Sequence, residues 1–360
     1  MKKNHFIRFV IIAVLLLASV WWSMATVATE IAEAQHYPNK EILVSTQWLK
    51  SHMNDPNLII VDVRDDKYFD GKLIPGAIRF IWSDFRYSDH SRKIGDLFIG
   101  VTQAQKILGN AGISRPDTLV LYDSVARDGG ATASYVFWVL ELLGHKKIKI
   151  LERGIDDWVE SGNDVVMEPR KMEPVLYQAL AEETKLRKTA DGHFVYNRLG
   201  DPHYQIIDVR SRKEYIGEIA NEALGGGPLK LGHIPTAVNI DYRDNWLDAE
   251  SKNIKPYDQL QKLYRGLDSS RAVILYCHSA RRSSFSYFIL RLMGFSDVIL
   301  YEPSWYEWGQ LSGFFPVELT EHELAGGDLP GASKSVETTK TQTPREKTEA
   351  SKDGYVSCGG

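Results

Sequence analysis

One cysteine of this chain lies in surroundings that could activate it. Cys277 follows the apolar run AVILY and precedes the basic pair Arg281–Arg282. A loop that joins a strand to a helix directs backbone N–H groups inward, because the first turn of a helix leaves its donors unpaired. Those donors and the nearby positive charge favour a thiolate, the nucleophilic form of cysteine. The segment therefore predicts covalent catalysis at Cys277, with a buried structural cysteine as the alternative.

The spacing between Cys277 and Arg282 limits this chemistry. Arg282 is the sixth residue counted from Cys277. Cysteine phosphatases place their arginine one position later, where this chain has Ser283, in a longer loop that wraps a tetrahedral phosphate. A tighter ring of donors would crowd a phosphate but would accommodate one extra sulfur on the cysteine. Phosphatase or arsenate reductase activity stays as an alternative enzyme class.

A strand and a helix must position this loop. The run AVILY is apolar on both parities, as are LIIVDV, LVLY and IIDV elsewhere, which is typical of buried strands. After Cys277, apolar residues recur with helical spacing and predict a helix that starts near Ser283 and ends before Gly294: Phe285, Phe288, Ile289 and Leu292. Alternating strands and helices predict an α/β fold with parallel strands and helices on both faces.

The sequence pattern of these strands and loops occurs twice in the chain. The segment at 59–80 resembles the one at 206–240, and LVLYDS resembles VILYCHS. An offset of about 150 residues suits a duplicated domain and is too long for a solenoid repeat. Residues after 321 contain almost nothing to bury and predict disorder. We expect this organisation: domains at 40–166 and 201–320, a linker at 167–200 and a disordered tail at 321–360.

Composition excludes several functions. The chain of 360 residues is 43% hydrophobic and 25% charged, as globular proteins are. A net charge of −4 gives no basic surface for nucleic acid. Two cysteines cannot build a disulfide scaffold, and no Cys/His group has metal-ligand spacing. We therefore expect no metal, no cofactor and no nucleic-acid partner.

The N-terminal residues 1–28 resemble a targeting signal. Lysines and an arginine lead into an apolar run, and small residues follow where a peptidase could cut. The uncharged stretch at 9–27 is also long enough to span a bilayer, so an uncleaved membrane anchor is the alternative. Both interpretations predict an exported, periplasmic protein that meets the membrane only through this segment.

Several motifs together are similar to those of tandem-domain rhodaneses, the thiosulfate or mercaptopyruvate sulfurtransferases. They are DVR followed by EY, GHIPTAVNI, the CHSARRS loop and YEPSWYEWG, all within 40–319. The resemblance implies two rhodanese-like domains, each a mainly parallel sheet flanked by helices. In the first domain Asp123 stands at the place of Cys277, and the loop after it is four residues longer. An aspartate cannot carry sulfane sulfur, so we expect this domain to shape one wall of the active cleft.

The resemblance also assigns roles. Cys277 attacks the outer sulfur of an anionic donor, keeps it as a persulfide and passes it to a thiophilic acceptor. The loop stabilises the charge of the persulfide. Its arginines attract the sulfonate oxygens of the donor. We expect Arg282 to matter more than Arg281 if the side chain of Arg281 faces solvent. The candidate donor-binding residues are His278, Ser279, Ala280, Arg281, Arg282 and Ser283.

Three further residues receive supporting roles from the resemblance. Asp208 and Arg210 would brace the loop from the end of the neighbouring strand, with a plain structural ion pair as the alternative. His233 in GHIP is a turn residue.

Two residues depart from the family pattern. Glu214 stands where mercaptopyruvate-using enzymes carry a substrate-holding arginine, and a carboxylate there would repel a second carboxylate. Thiosulfate is therefore the expected donor and mercaptopyruvate the alternative. Ala280 replaces a common glycine, so the backbone angles there should differ slightly. A non-catalytic sulfur-carrier or docking protein is the alternative from another class. The expected partners are a small anionic sulfur donor, a thiol or cyanide acceptor and a periplasmic sulfur-carrier protein.

The second cysteine lies in the terminal sequence SCGG. This ending resembles the Gly-Gly-Cys-Gly-Gly terminus of periplasmic sulfur-oxidation carrier proteins, although only CGG matches. A flexible arm of this length reaches about 30 Å. The resemblance implies that Cys358 carries sulfur to or from Cys277. The alternatives are a free thiol, a disulfide to a partner or a regulatory disulfide with Cys277.

Overall fold

Two parallel β-sheets, one in each half of the chain, form the centre of the fold. The computed structural model describes residues 37–322. The first half contains seven strands: β1 (Leu43–Val44), β2 (Leu58–Asp62), β3 (Ile78–Arg79), β4 (Arg86–Asp89), β5 (Ile94–Phe98), β6 (Thr118–Tyr122) and β7 (Ile148–Leu151). Five of them form a parallel sheet in the order β1-β7-β6-β2-β3, and β4 pairs with β5 in an antiparallel hairpin.

The second half repeats this sheet. Its strands are β8 (Thr189–Ala190), β9 (Tyr204–Asp208), β10 (Val238–Asn239), β11 (Ala272–Tyr276) and β12 (Val298–Tyr301). The order β10-β9-β11-β12-β8 is that of the first sheet read from the other edge, and all pairs are parallel. The predicted duplication and the α/β class are confirmed.

Nine helices connect and cover the strands within residues 37–322. They are α1 (Thr46–His52), α2 (Val101–Asn110), α3 (Ala131–Leu142), α4 (Gly154–Glu160), α5 (Gly192–Tyr196), α6 (Arg212–Tyr215), α7 (Tyr257–Leu263), α8 (Arg281–Leu292) and α9 (Ser304–Trp308). Short 3₁₀ helices occupy Lys40–Ile42, Asp66–Tyr68, Trp82–Phe85, Leu186–Lys188 and Tyr242–Asn245.

Two boundaries differ from the sequence prediction. The segment 167–200, predicted as a linker that can hold one helix, contains the helix α5 and, unexpectedly, the strand β8. Because β8 pairs with β12, the second domain begins before residue 201. A strand of two residues is too short to show an alternating pattern. Helix α8 begins at Arg281, two residues before the predicted start.

The two domains meet along α3 and α8. Nearly every residue of both helices is buried, so the buried surface of α8 extends beyond the predicted apolar stripe and includes its arginines and serines. The rings of Phe137 and Phe288 pack edge to face with centroids 5.1 Å apart. At the end of the interface Glu141 accepts hydrogen bonds from Tyr287 and pairs with Arg291 at 2.9 Å. One hydrophobic cluster runs through both domains.

Several predictions lie outside the described residues. The N-terminal segment 1–28, most of the predicted tail and Cys358 belong to these parts of the chain. Within residues 37–322, no helix is both long enough and apolar enough to cross a membrane.

Candidate active site

Cys277 lies directly after β11 and is buried. Its backbone N–H donates to Ser304 Oγ at 3.2 Å, and its carbonyl accepts from the N–H of Trp305 at 3.0 Å. The hydroxyl of Ser283 lies 3.5 Å from the cysteine sulfur. Because neighbouring parallel strands end at one edge of a sheet, the segments after β11 and β12 meet here. The thiol is thus fixed between its own loop and the start of α9.

The loop turns into α8 through a left-handed residue. Ala280 is the N-cap of α8, with φ 67° and ψ −27°. Its carbonyl accepts from the N–H of Ser284 at 2.8 Å and from Ser283 Oγ at 3.0 Å. A left-handed conformation costs a residue with a Cβ about 1–2 kcal/mol. The alanine therefore adopts the conformation that a glycine would adopt more easily, and the rest of the loop holds it there.

Ser279 has a buried hydroxyl with an unused bonding capacity. Its side-chain oxygen has no hydrogen-bond partner within residues 37–322. Its carbonyl accepts from the N–H of Arg281 at 2.9 Å and from the guanidinium of Arg86, which belongs to β4 of the first domain. A buried polar group without a partner is unfavourable, so this hydroxyl is well suited to contact a bound ligand.

Arg282 forms a buried ion pair with Glu214. Two parallel hydrogen bonds of 2.9 Å join the guanidinium to the carboxylate. Asn221 and Ser211 donate further hydrogen bonds to Glu214, at 2.8 and 2.7 Å. Burial opposes ionisation of Glu214, but attraction to Arg282 outweighs it and holds the pKa of the carboxyl well below its usual range. The predicted repulsion between Glu214 and the carboxylate of a donor is therefore wrong, because the ion pair of Glu214 with Arg282 has no net charge.

Arg281 joins the two domains. Its side chain is buried and forms an ion pair with Asp128, which lies in the longer loop between β6 and α3. Asp128 also accepts a hydrogen bond from Tyr242 at 3.0 Å. The solvent-facing alternative for Arg281 is therefore wrong. The sequence could not show this pairing, since the partner belongs to the other domain.

Asp208 and Arg210 support the strand that leads to the cysteine. Their ion pair is buried, with the guanidinium 2.6 Å from the carboxylate. Asp208 also accepts from the hydroxyl of Tyr276 at 2.7 Å, and Arg210 donates to the carbonyl of Gly232 at 2.8 Å. Burial disfavours the charge on Arg210, but Asp208 outweighs this and raises the pKa of the guanidinium. The pair braces the residue that precedes Cys277.

The first domain contains an equivalent ion pair, and this repetition identifies the role of Asp208 and Arg210. In the first domain Arg64 pairs with Asp62 at 2.6 Å, although this domain has no cysteine at the equivalent place. An ion pair present in both domains is needed by the fold of each. The geometry therefore favours the structural alternative for Asp208 and Arg210 over direct participation in catalysis.

Asp123 fills the position of the thiol in the first domain. Its Oδ2 accepts three hydrogen bonds from the start of α3: Thr132 Oγ1 at 2.7 Å, the Thr132 N–H at 3.2 Å and the Ala133 N–H at 3.1 Å. Burial raises the pKa of this carboxyl, and these hydrogen bonds oppose the shift. The donors at this helix start are thus occupied by the protein itself.

Two other predicted residues have structural contacts. The His278 side chain bonds to the carbonyl of Glu222 at 3.0 Å and packs on the ring of Tyr306. His233 is fully buried in its turn and lies within 4.8 Å of Glu318 and His322, measured between ligand atoms. This group of three was not predicted, because its members are distant in the sequence and only the fold brings them together.

The site is that of a duplicated α/β protein with a free, buried cysteine at a strand-to-helix loop. Residues 45–161 and 193–311 each match the family model of the rhodanese-like domain. The sulfur carrier protein TtuD of Thermus thermophilus is 32% identical to this chain, and the match covers 77% of this chain and 96% of the relative. The thiosulfate sulfurtransferase of Corynebacterium glutamicum is 28% identical, and the match covers 80% and 94%.

A solved structure has the same fold. The anaerobic ergothioneine biosynthesis enzyme of Chlorobium limicola matches with a TM-score of 0.66 at 19% identity, over 80% of this chain and 72% of that one. The two domain matches cover most of the chain. The protein therefore belongs to the rhodanese family and contains two rhodanese-like domains.

Proposed function

We propose that this protein is a thiosulfate sulfurtransferase that carries sulfane sulfur on Cys277. The thiolate attacks the outer sulfur of thiosulfate, a sulfur–sulfur bond forms at Cys277, and sulfite leaves with the electron pair of the bond that breaks. A thiol, cyanide or a protein thiolate then takes the terminal sulfur and restores the Cys277 thiolate. The single observation that carries this proposal is the position of Cys277 beside the Ser283 hydroxyl in the loop that begins α8.

The surroundings of the thiol favour a small donor. Cys277 is buried, so a compact ion reaches it with less rearrangement than a protein surface does. The Ser279 hydroxyl is free to donate to the transferred sulfur or to a donor oxygen. The arginines beside the loop are engaged with carboxylates, and their contribution to donor binding is correspondingly weaker than that of isolated charges.

Two alternatives use the same cysteine. Mercaptopyruvate is a candidate donor because Arg282 neutralises Glu214. A sulfur-carrier role is a second candidate, because the Thermus relative bears the name of a sulfur carrier. The burial of Cys277 argues against a carrier that hands sulfur directly to large proteins.

Mass spectrometry of the loaded protein tests the proposal. The full chain is incubated with thiosulfate or with mercaptopyruvate, and the persulfide is located by peptide mass. We expect one added sulfur on Cys277 with thiosulfate, its loss on adding cyanide, and none at that position in Cys277→Ser. Asp123→Asn is the matched control from the first domain and should load normally. Loading from mercaptopyruvate alone would replace thiosulfate as the donor, and absence of loading from both would overturn the proposal.

We also propose that the chain is exported to the periplasm. Support comes from the basic, apolar and small-residue order of residues 1–28. Cell fractionation with N-terminal sequencing distinguishes the two forms. A shortened periplasmic protein indicates a cleaved signal, and a full-length protein in the membrane indicates an anchor. A full-length protein in the cytoplasm would contradict export.

Cys358 is proposed to accept sulfur from Cys277 or to return it. The support is the CGG ending, whose glycines let a thiol enter a narrow cleft. In the loading experiment, sulfur on Cys358 that disappears in Cys277→Ser supports transfer between the two cysteines of this chain. If Cys358 is never modified and Cys358→Ser leaves turnover unchanged, the relay is wrong.

A further inference from the structure

The buried histidine of the GHIP turn has a ring nitrogen without a hydrogen-bond partner in the part of the chain that the structure describes. His233 is fully buried, and its Nδ1 lies 2.8 Å from the carbonyl oxygen of Tyr215. A carbonyl only accepts, so Nδ1 carries the proton and Nε2 offers a lone pair. Nε2 is buried and has no hydrogen-bond partner within residues 37–322. Such an atom needs a donor or a cation.

Two more ligand groups lie close to His233. The Nε2 of His322 lies 2.7 Å from the Oε2 of Glu318, and the ligand atoms of all three residues lie within 4.8 Å of one another. The backbone holds the group together, because His233 and Glu318 exchange N–H···O bonds of 3.0 and 2.9 Å. The N–H of His322 also donates to the hydroxyl of Tyr215 at 3.0 Å.

We propose that His233, Glu318 and His322 form a binding site for a divalent transition metal, with Zn²⁺ as the best fit. Two imidazoles and one carboxylate suit zinc, which often takes three protein ligands and a water. The His322 Nε2 becomes a ligand when its proton moves to Nδ1. Ligand atoms about 2.0–2.2 Å from a tetrahedral ion lie about 3.3–3.6 Å apart. Binding therefore requires the 2.7 Å contact between Glu318 and His322 to open by about 0.6–0.9 Å, and ligand atoms as far as 4.8 Å apart to approach by about 1.2 Å or more.

The surroundings support such a site. Metal-binding histidines usually donate their second ring N–H to a carbonyl or carboxylate, as His233 does to Tyr215. The N–H of Thr236 orients Glu318 through a 3.1 Å hydrogen bond. Because Glu318 and His322 are partly exposed, their side chains can move to the distances that metal binding requires. The ion would fasten the chain at 318–322 to the turn before β10.

Cobalt binding to the full chain tests the site. The protein is stripped with a chelator and titrated with Co²⁺, whose visible absorption reports a four-coordinate site. A strong near-ultraviolet band would instead report cobalt on a cysteine thiolate. The variants Glu318→Gln and His322→Gln change partly exposed residues, so folding should survive. His203→Ala is the matched control, because His203 also pairs with a carboxylate, Asp201, at 2.9 Å, but lies outside the cluster.

We expect one tightly bound Co²⁺ in the parent and in the control, displaced by Zn²⁺. Replacing an outer partner of a metal ligand costs 10–100-fold in affinity, so losing a direct ligand should cost at least about 100-fold. The proposal fails if the parent binds no cobalt, if the signal is that of a thiolate, or if both variants bind as the control does.

Discussion

The loops after β6 and β11 occupy the same place in the two domains but differ in how the hydrogen-bond donors near the following helix are satisfied. After β6, Asp123 turns its carboxylate onto the start of α3 and accepts three hydrogen bonds there. After β11, the cysteine sulfur is contacted by Ser283, and the Ser279 hydroxyl has no partner within the described residues. One loop satisfies its donors internally and the other leaves a donor for a ligand. The comparison explains why one domain alone is suited to chemistry.

The support beneath the two loops is the same. Asp62 and Arg64 repeat the ion pair of Asp208 and Arg210. The hydroxyl of Tyr122 accepts a hydrogen bond from the N–H of Ile74 at 3.2 Å, as the hydroxyl of Tyr276 does from the N–H of Ile234 at 3.1 Å, and each tyrosine lies at the end of its strand. The supporting ion pair is therefore a feature of both domains, whereas the cysteine that follows the strand is present in the second domain alone.

The largest expected effect comes from removing the nucleophile. Cys277→Ser should lower cyanide-dependent turnover of thiosulfate by at least about 10³-fold, because a hydroxyl does not replace a thiolate in covalent catalysis. Adding Asp123→Cys to this variant should not restore activity, since the loop after β6 is four residues longer and differs in sequence from the loop after β11. Sulfite release measures both. Recovered turnover would mean that the two loops are interchangeable.

The next effect concerns the ion pair of Arg282. Arg282→Ala should lower the free energy of unfolding by about 3–5 kcal/mol, because it leaves a buried carboxylate unpaired. Arg281→Ala should cost less, since its partner Asp128 is partly exposed. Urea denaturation measures both. Adding Glu214→Gln to Arg282→Ala should recover much of the loss. Equal losses for the two arginine variants would contradict this ranking.

A third effect concerns the pH dependence of stability, which a buried carboxyl near the contact between the two domains should produce. Burial of Glu302 outweighs the attraction of Arg86 and raises the pKa of the carboxyl to about 8. Its usual value is about 4.3, so the folded state binds the proton more tightly than the unfolded state does. Its stabilising effect is complete below about pH 4.3 and is lost as the pH rises towards 8, with a slope of at most about 1.4 kcal/mol per pH unit.

Urea denaturation between pH 5 and pH 9 measures this dependence. Glu302→Gln cannot ionise, so its stability should vary less with pH than that of the parent. Glu250→Gln, at an exposed position, is the control and should keep the slope of the parent. Parallel pH profiles for the parent and Glu302→Gln would show that Glu302 does not titrate in this range.

The smallest effect exchanges the residues that begin the two helices. Gly130 and Ala280 are the left-handed N-caps of α3 and α8, with φ of 99° and 67°. Ala280→Gly should raise the free energy of unfolding by about 0.5–1 kcal/mol, because it relieves the left-handed strain. Gly130→Ala should lower it, and its added carbon would also lie 3.3 Å from Phe285. Thermal unfolding measures both, and changes of the same sign would contradict the equivalence of the two caps.

The sequence was sufficient for the parts of the molecule that depend on local pattern. β11, the end of α8 at Gly294 and the duplication follow from apolar periodicity and repeated motifs. The strand β8 was not predictable, because two residues carry no periodic signal. The partners of Arg281 and Arg282 were not predictable either, since contacts between distant segments depend on the completed fold.

The paired helices α3 and α8 have a consequence for how this chain can change. Because the two helices pack against each other, separating the domains would expose apolar side chains that lie buried between them, such as Phe137 and Phe288. The first domain, in which Asp123 stands at the place of Cys277, is therefore needed to bury α8, and its Asp128 also holds Arg281 at the start of that helix.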